Sequence, residues 1–255
     1  MVKILLVDIE TAPNIAYVWG AWKQNVSVKQ MMEYGHIMSF AAKWFGSDEI
    51  FYEENRKSND ESIVTKLIRL FDEADIVIAH NGKRFDEPTI MGRALKYNIN
   101  PPSPYKWVDT LDVARKEFRF VHNSLEGLAE LLGCTKKDGH KKYPGFELWL
   151  ECLRGNDEAW AEMEHYNIQD VIVLEEIYVK MLPWIKNHPN VGVLLEEDRP
   201  VCPKCGSHHI QLRGYVTTNV GKYRKFQCQS CGGWARTRYT EYDKDKRKEL
   251  LVNAI

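Results

Sequence analysis

The order of strand-like and helix-like patterns over residues 3–109 leaves few folds open. Lys3 to Ile9 is short, apolar and rich in branched side chains, and reads as a buried strand. His36 to Phe45 and Glu49 to Glu53 read as two more strands, linked by Gly46-Ser47-Asp48, a turn composition. Ile63, Leu67, Leu70 and Phe71 recur at helical spacing within residues 60–72. Ile76 to Ala79 is then a fourth strand, Pro88 to Tyr97 a second helix, and Lys106 to Asp109 a short fifth strand. Three successive strands can form an antiparallel meander, whereas strands joined through helices usually run parallel. The order β-β-β-α-β-α-β therefore predicts an α/β domain, a mixed five-stranded sheet flanked by helices. The stretch with Tyr17, Trp19 and Trp22 has little periodicity and is expected to be a loop.

Farther along, Asn123-Ser124-Leu125-Glu126 resembles a capping box that opens a helix from Leu125 to Leu132, ended by Gly133. Asp157 to Met181 is a long helical pattern that Pro183 closes. Two prolines and an acidic run mark residues 187–200 as a linker. The expected organisation is a main domain over 1–186, the linker, a small module over 201–240, and a charged tail over 241–255 that frays. With 255 residues, there is enough chain for one good-sized core plus an appendage. No apolar run approaches the ~20 residues a membrane span needs. The N-terminal run lacks the length and cleavage site of a signal peptide. A cytoplasmic (intracellular) protein with no membrane partner is expected.

The net charge of −1 hides an asymmetry. From Arg199 onward, 12 Lys and Arg face 4 Asp and Glu, an excess of eight positive charges. The first 198 residues hold 23 basic against 32 acidic side chains, an excess of nine negative charges. A basic tail on an acidic body suggests a polyanion partner for the tail; a merely solvated terminus is the bland alternative.

Four of the six cysteines come in pairs, Cys202-Pro-Lys-Cys205 and Cys228-Gln-Ser-Cys231, separated by 22 residues. In an intracellular chain this spacing reads as metal ligation rather than disulfides. Gly206 and Gly232 each follow a pair and let the chain turn back so that amides approach the sulfurs. The pattern resembles a zinc ribbon, with four thiolates holding one structural Zn²⁺. Around the pairs, Arg213, Tyr215, Arg224, Phe226, Trp234, Arg236 and Tyr239 mix basic with aromatic side chains. That mixture suits a surface that grips phosphates and stacks bases, with Arg224 and Arg236 as candidate contacts. The same rings could instead serve as the core of a small domain.

The acids carry the chemistry. Asp8 and Glu10 are two apart at the C-terminal end of the first strand and project to one face. Asp86 follows the fourth strand, where it could equally be a helix cap. Asp170 lies mid-helix beside Val171 and Ile172, an intrinsically unfavourable place, with Tyr166 one turn before it on the same face. Brought together, four carboxylates repel one another. Two divalent cations roughly 3.5–4 Å apart relieve this repulsion and can drive phosphodiester cleavage. Hard Mg²⁺ or Mn²⁺ suits an all-carboxylate site.

Asp-Ile-Glu-Thr (8–11), Asn-Gly-Lys-Arg-Phe-Asp (81–86) and Tyr-Asn-Ile-Gln-Asp (166–170) resemble, in order, the three Exo motifs of the DEDD 3′–5′ exonucleases. The closest resemblance is to the exonuclease domain of family B DNA polymerases and its stand-alone relatives, over about residues 1–185. It implies a ribonuclease H-like fold. It also implies that Asp8 bridges two metals, that Glu10 and Asp170 hold the ion that activates water, and that Asp86 serves the second ion. Thr11, Asn81 and Phe85 would shape the site around the 3′ end. The superfamily uses either a Tyr four residues before the last Asp or a His five before it, and this chain has both, as His165-Tyr166. Positions four apart align on a helix while positions five apart diverge by about 140°, which favours Tyr166 over His165. The implied substrate is a free 3′ end, single-stranded or frayed DNA, with a replication or repair protein as a possible partner. An RNA 3′ exonuclease and a non-catalytic nucleic-acid-binding or partner-docking module are the alternatives. Asp109 is expected to cap a helix and His80 to be packed. Lys136, Lys137, Lys141 and Lys142 flank an expected loop and either touch phosphates or are solvated.

Overall fold

The computed structural model describes residues 2–135, 142–195, 197–252 and 254. Lys136, Lys137 and Lys141 lie outside the described residues, while Lys142 pairs with Glu158. The chain forms two compact units, Lys3–Tyr178 and the residues from Val179 onward. The division between these compact units falls inside the long helix.

In the first unit, β1 (Ile4–Thr11) is followed by the short strands β2 (Ile15–Ala16) and β3 (Met31–Glu33). Next come β4 (Ile37–Trp44), β5 (Ile50–Glu54), α1 (Glu61–Glu73), β6 (Ile76–Ala79), α2 (Asp86–Lys96) and β7 (Lys106–Asp109). Then follow α3 (Thr110–Glu117), α4 (Leu125–Leu132), α5 (Glu147–Leu153) and α6 (Asp157–Met181). The main sheet has the order β5-β4-β1-β6-β7. β1 and β4, like β4 and β5, run antiparallel; β1, β6 and β7 run parallel. This is the expected meander with helical crossovers.

Side-chain alternation on β1 sorts the two faces. Leu5, Val7 and Ile9 pack with Ile63, Leu67 and Phe71 of α1 and Ile90 of α2 in one core. A second core joins Met38 to Leu148 and Cys152 of α5 and to Trp160 and Met163 of α6. The buried pair of Lys43 with Glu175 also ties β4 to α6. β1, with helices over both of its faces, is thus a rigid base for whatever its C-terminal end presents.

The residues expected as a loop, around Tyr17, Trp19 and Trp22, form no helix or strand and lie between β2 and β3, which pair in a two-stranded ladder. One local expectation needs correction. The cap of α4 is Ser124, whose hydroxyl accepts from Gly127 N at 3.2 Å, so the box does not start at Asn123. Gly133 ends the helix at φ 61°, the left-handed region that glycine enters without strain.

The second unit contains α7 (Val191–Leu194), a three-stranded antiparallel sheet of β8 (Ile210–Thr218), β9 (Gly221–Cys228) and β10 (Trp234–Arg236), and α8 (Lys244–Glu249). α7 lies in the stretch expected to be linker; Val191 is buried and donates to Pro203 O at 2.8 Å. The tail expected to fray holds α8, capped by Asp243 through Lys246 N at 2.7 Å. Among the described residues no helix is long and apolar enough to cross a membrane.

Candidate active site and cysteine cluster

β1 turns Asp8 and Glu10 to the face opposite Leu5, Val7 and Ile9, toward α6. One ligand atom from each of Asp8, Glu10 and Asp170 lies within 4.8 Å of the other two. Three carboxylates this close repel when ionised, and a hard divalent cation with oxygen affinity removes that penalty. The donor set therefore fits such an ion.

Tyr166, one turn before Asp170 on α6, shares a side-chain hydrogen bond with it. Burial pushes the phenol up, and the charges of Asp170, Glu10 and Asp8 push it further. The ring meets Trp149 edge-on at 6.1 Å. His165 is exposed and does not join the acid group.

Two polar residues that sequence reasoning passed over hold the site. Asn167 is fully buried; its amide nitrogen donates to Asp8 Oδ2 at 2.7 Å, and its oxygen accepts from the Ser39 hydroxyl at 3.1 Å. Ser39 stands opposite Glu10 in the β1–β4 ladder. One signal was available: Asn167 interrupts the buried stripe Met163, Val171, Leu174 at helical spacing.

Asp86 behaves differently from the other three acids and is outside their group. It begins α2, is buried, and its Oδ1 accepts from Ile9 N at 3.2 Å. The parallel pairing of β1 with β6 ends at Leu6, so Ile9 N lies beyond that ladder and the carboxylate takes its hydrogen bond. Burial pushes Asp86 up to about 7; hydrogen bonds from backbone amides oppose the shift, and nearby Asp109 adds to it.

The turn that presents Asp86 is built by Asp109. Its carboxylate accepts from Asn81 N at 3.0 Å, Lys83 N at 3.2 Å, Leu111 N at 3.0 Å and Asp112 N at 3.3 Å, so it caps α3 and pins the turn together. Asn81 adopts φ 68°. At Gly82 a Cβ would lie 2.4 Å from Ala79 Cβ and 3.0 Å from the Trp107 ring, so only glycine fits. Phe85 is 43% exposed at the start of α2, and Thr11 sits past a bulge at the end of β1. His80 Nδ1 is 2.9 Å from the Thr110 hydroxyl, a part-buried contact. Trp19 and Trp22, between β2 and β3, are 99% and 87% exposed.

In the second unit the four thiols converge, with a sulfur of each of Cys202, Cys205, Cys228 and Cys231 within 4.8 Å of the others. Cys202–Cys231 and Cys205–Cys228 sulfur separations are 3.7 and 3.6 Å. A tetrahedron of metal–sulfur bonds near 2.3 Å has edges of about 3.8 Å, so the cluster fits a tetrahedral ion. Gly206 at φ 73° and Gly232 at φ 75° turn each knuckle back, donating to Cys202 O and Cys228 O. Cys231 N and Gly233 N point at sulfurs, at 3.5 and 3.4 Å. Arg224 pairs with Glu241 at 3.1 Å, and Arg236 lies 4.0 Å over the Tyr223 ring.

A family model described as the RNase H superfamily matches residues 30–182. The match includes Asp86, Tyr166 and Asp170 but begins after Asp8 and Glu10. No curated protein sequence matches the chain. Among solved structures, the family B DNA polymerase from the hyperthermophilic archaeon Pyrobaculum calidifontis is similar at TM-score 0.50 and 16% identity, over 72% of this chain and 25% of that one. The chain thus spans about a quarter of that polymerase. The likeness is one of fold, and the five-stranded mixed sheet with helices on both faces is ribonuclease H-like.

Proposed function

The chain belongs to the RNase H superfamily, and from that membership we propose that it is a metal-dependent 3′–5′ exonuclease acting on single-stranded or frayed DNA. The observation that carries the reading is the convergence of Asp8, Glu10 and Asp170 beside Tyr166. Asp8, Glu10 and Asp170 would hold two Mg²⁺ or Mn²⁺ ions, with Asp86 serving the second. When bound, such ions supply Lewis-acid activation and charge neutralisation for phosphodiester hydrolysis.

The chain's own residues do the rest. Asn167 fixes the direction of the Asp8 carboxylate. A phenol has an ordinary pKa near about 10, and burial raises this one, so Tyr166 keeps its proton at neutral pH and orients the attacking water by hydrogen bonding. His165 faces solvent, which favours Tyr166 for this role. Thr11, Asn81 and Phe85 would border the terminal nucleotide. Cys202, Cys205, Cys228 and Cys231 would hold one structural Zn²⁺ in a ribbon.

The test is one digestion series with Mg²⁺ or Mn²⁺ on 5′-labelled single-stranded DNA, duplex DNA and RNA. A ladder shortening from the 3′ end is expected on single-stranded DNA and abolished by Asp8→Ala. Tyr166→Phe is expected to lower kcat by about tenfold or more, roughly 1.4 kcal/mol of barrier, while His165→Ala leaves it unchanged. A faster ladder on RNA would reassign the polymer, and no cleavage of any of the three would sink the nuclease reading.

A further inference from the structure

The second unit contains a cleft of about 580 Å³ that the acid cluster does not use. Four guanidinium groups line it, from Arg199, Arg224, Arg236 and Arg238, against the carboxylate of Glu241. Arg224 engages that carboxylate at 3.1 Å. Arg199 and Arg238 have no carboxylate partner among the described residues, and Arg236 stacks on Tyr223 rather than pairing with an acid. Tyr239 stands at the rim, 77% exposed, with the Arg238 guanidinium 5.7 Å from its ring.

The wall that carries Arg238 and Tyr239 is tied to β9: Thr237 N donates to Arg224 O at 3.0 Å and Glu241 N to Lys222 O at 2.7 Å. The arginines are thus held around one concavity rather than spread over a surface. Three guanidinium groups around one cleft, with no acid partner among the described residues, repel one another. An anion entering the cleft removes that cost.

We propose that this cleft binds the phosphodiester backbone of a single-stranded nucleic acid, with Arg199, Arg236 and Arg238 on phosphates and Tyr239 stacking a base. The proposal rests on the nucleic-acid reading of the acid cluster, which it deepens by naming a second place where the strand is held. Guanidinium forks match phosphate oxygens in pairs, and an exposed ring beside them stacks any base, so the site holds strands without reading their sequence.

The test uses the zinc-loaded full chain without Mg²⁺ or Mn²⁺, and fluorescein-labelled dT20, with binding followed by anisotropy across a salt series. For single strands each lost phosphate contact lowers the log–log salt slope by about 0.7, so the triple Arg199→Glu, Arg236→Glu, Arg238→Glu variant should lose about 2 from it. Its affinity should fall at least tenfold. The matching triple Lys variant should keep most of the affinity, and Tyr239→Ala should lose about fivefold or more. The proposal is overturned if the parent does not bind dT20, if the Glu variant binds like the parent, or if the Lys variant loses as much as the Glu variant. It is equally overturned if a polyglutamate peptide binds the parent more tightly than dT20, which would make the cleft a reader of acidic protein. Should the Glu variant lose its zinc, the Lys and Tyr239→Ala variants decide. Separately, cleavage of the p-nitrophenyl ester of thymidine 5′-monophosphate with Mn²⁺, lost in Asp8→Ala, tests the acid cluster alone, so failure of one reading is not failure of the other.

Discussion

Asn167 uses both ends of its amide while fully buried, one on Asp8 and one on Ser39. A buried amide of this kind stays in place only because each hydrogen bond is met, and removing it orphans its partners. Its effect on chemistry passes through Asp8, so it is a positioning residue. We expect Asn167→Ala to lower activity by about 10- to 100-fold, the usual cost of losing a group that orients a metal ligand. The half-saturating Mn²⁺ concentration should rise with it, and excess Mn²⁺ should restore part of the rate. A variant with lower activity but unchanged Mn²⁺ dependence would rule out the positioning role.

At the scale of elements, Asp60 joins three parts of the first unit. Its carboxylate accepts from Ile37 N at 2.8 Å at the start of β4, from Tyr97 Oη at 2.7 Å just past α2, and from Arg93 Nε at 3.0 Å on α2. Asp60 itself immediately precedes α1. Burial alone would raise its pKa, but the hydrogen bonds of Arg93, Tyr97 and Ile37 and the Arg93 charge outweigh it, and the carboxyl ends below its ordinary value. A carboxylate whose folded pKa is depressed contributes stability that is present above its unfolded pKa, near about 3.9, and lost as pH falls through the folded value. Denaturant titrations should therefore show the parent losing stability below about pH 4, and Asp60→Asn losing less over that range. Asp60→Ala, which leaves the half-buried Arg93 without its acid and orphans Ile37 N, should cost about 3 kcal/mol at neutral pH. Equal acid sensitivity in the parent and Asp60→Asn would refute the assignment.

At the scale of the whole molecule, the two units are stabilised by different means. The first unit has two hydrophobic cores on the faces of one sheet. The second exposes most of β8, leaves β9 largely half-buried, and among its described residues buries only a few apolar side chains, such as Leu182, Ile185 and Val191, beside Cys202 and Cys228. Below about 70–80 residues a single core rarely supplies much stability, and a metal or cross-link often completes it. If the four thiols hold the proposed metal, removing it with a strong chelator should abolish hydrogen-exchange protection in β8–β10 while β1 and β4 amides stay protected. Persistent protection of β8–β10 after chelation would show that the thiols are not the staple. Metal capture should also weaken as pH falls. Burial pushes the Cys231 thiol up to about 11 and holds Cys205 above its usual range, so protons compete for these sulfurs.

Features that depend on neighbours two to four residues apart were legible in the chain alone. Alternation put Asp8 and Glu10 on one face, helical spacing aligned Tyr166 with Asp170, and two short knuckles announced the thiol cluster. The sheet followed from the order of such local patterns. What the sequence left open is long-range. Asn167 meets Asp8 across 159 residues, and Asp86 meets Ile9 N across 77. Asp60 reaches Arg93 across 33, and the arginine cleft gathers residues from α7 to Glu241. Periodicity is set by backbone geometry, which every residue reports locally. Which polar atoms meet depends on how whole elements pack, and that packing gives Asp86 the amide of Ile9 while three acids cluster.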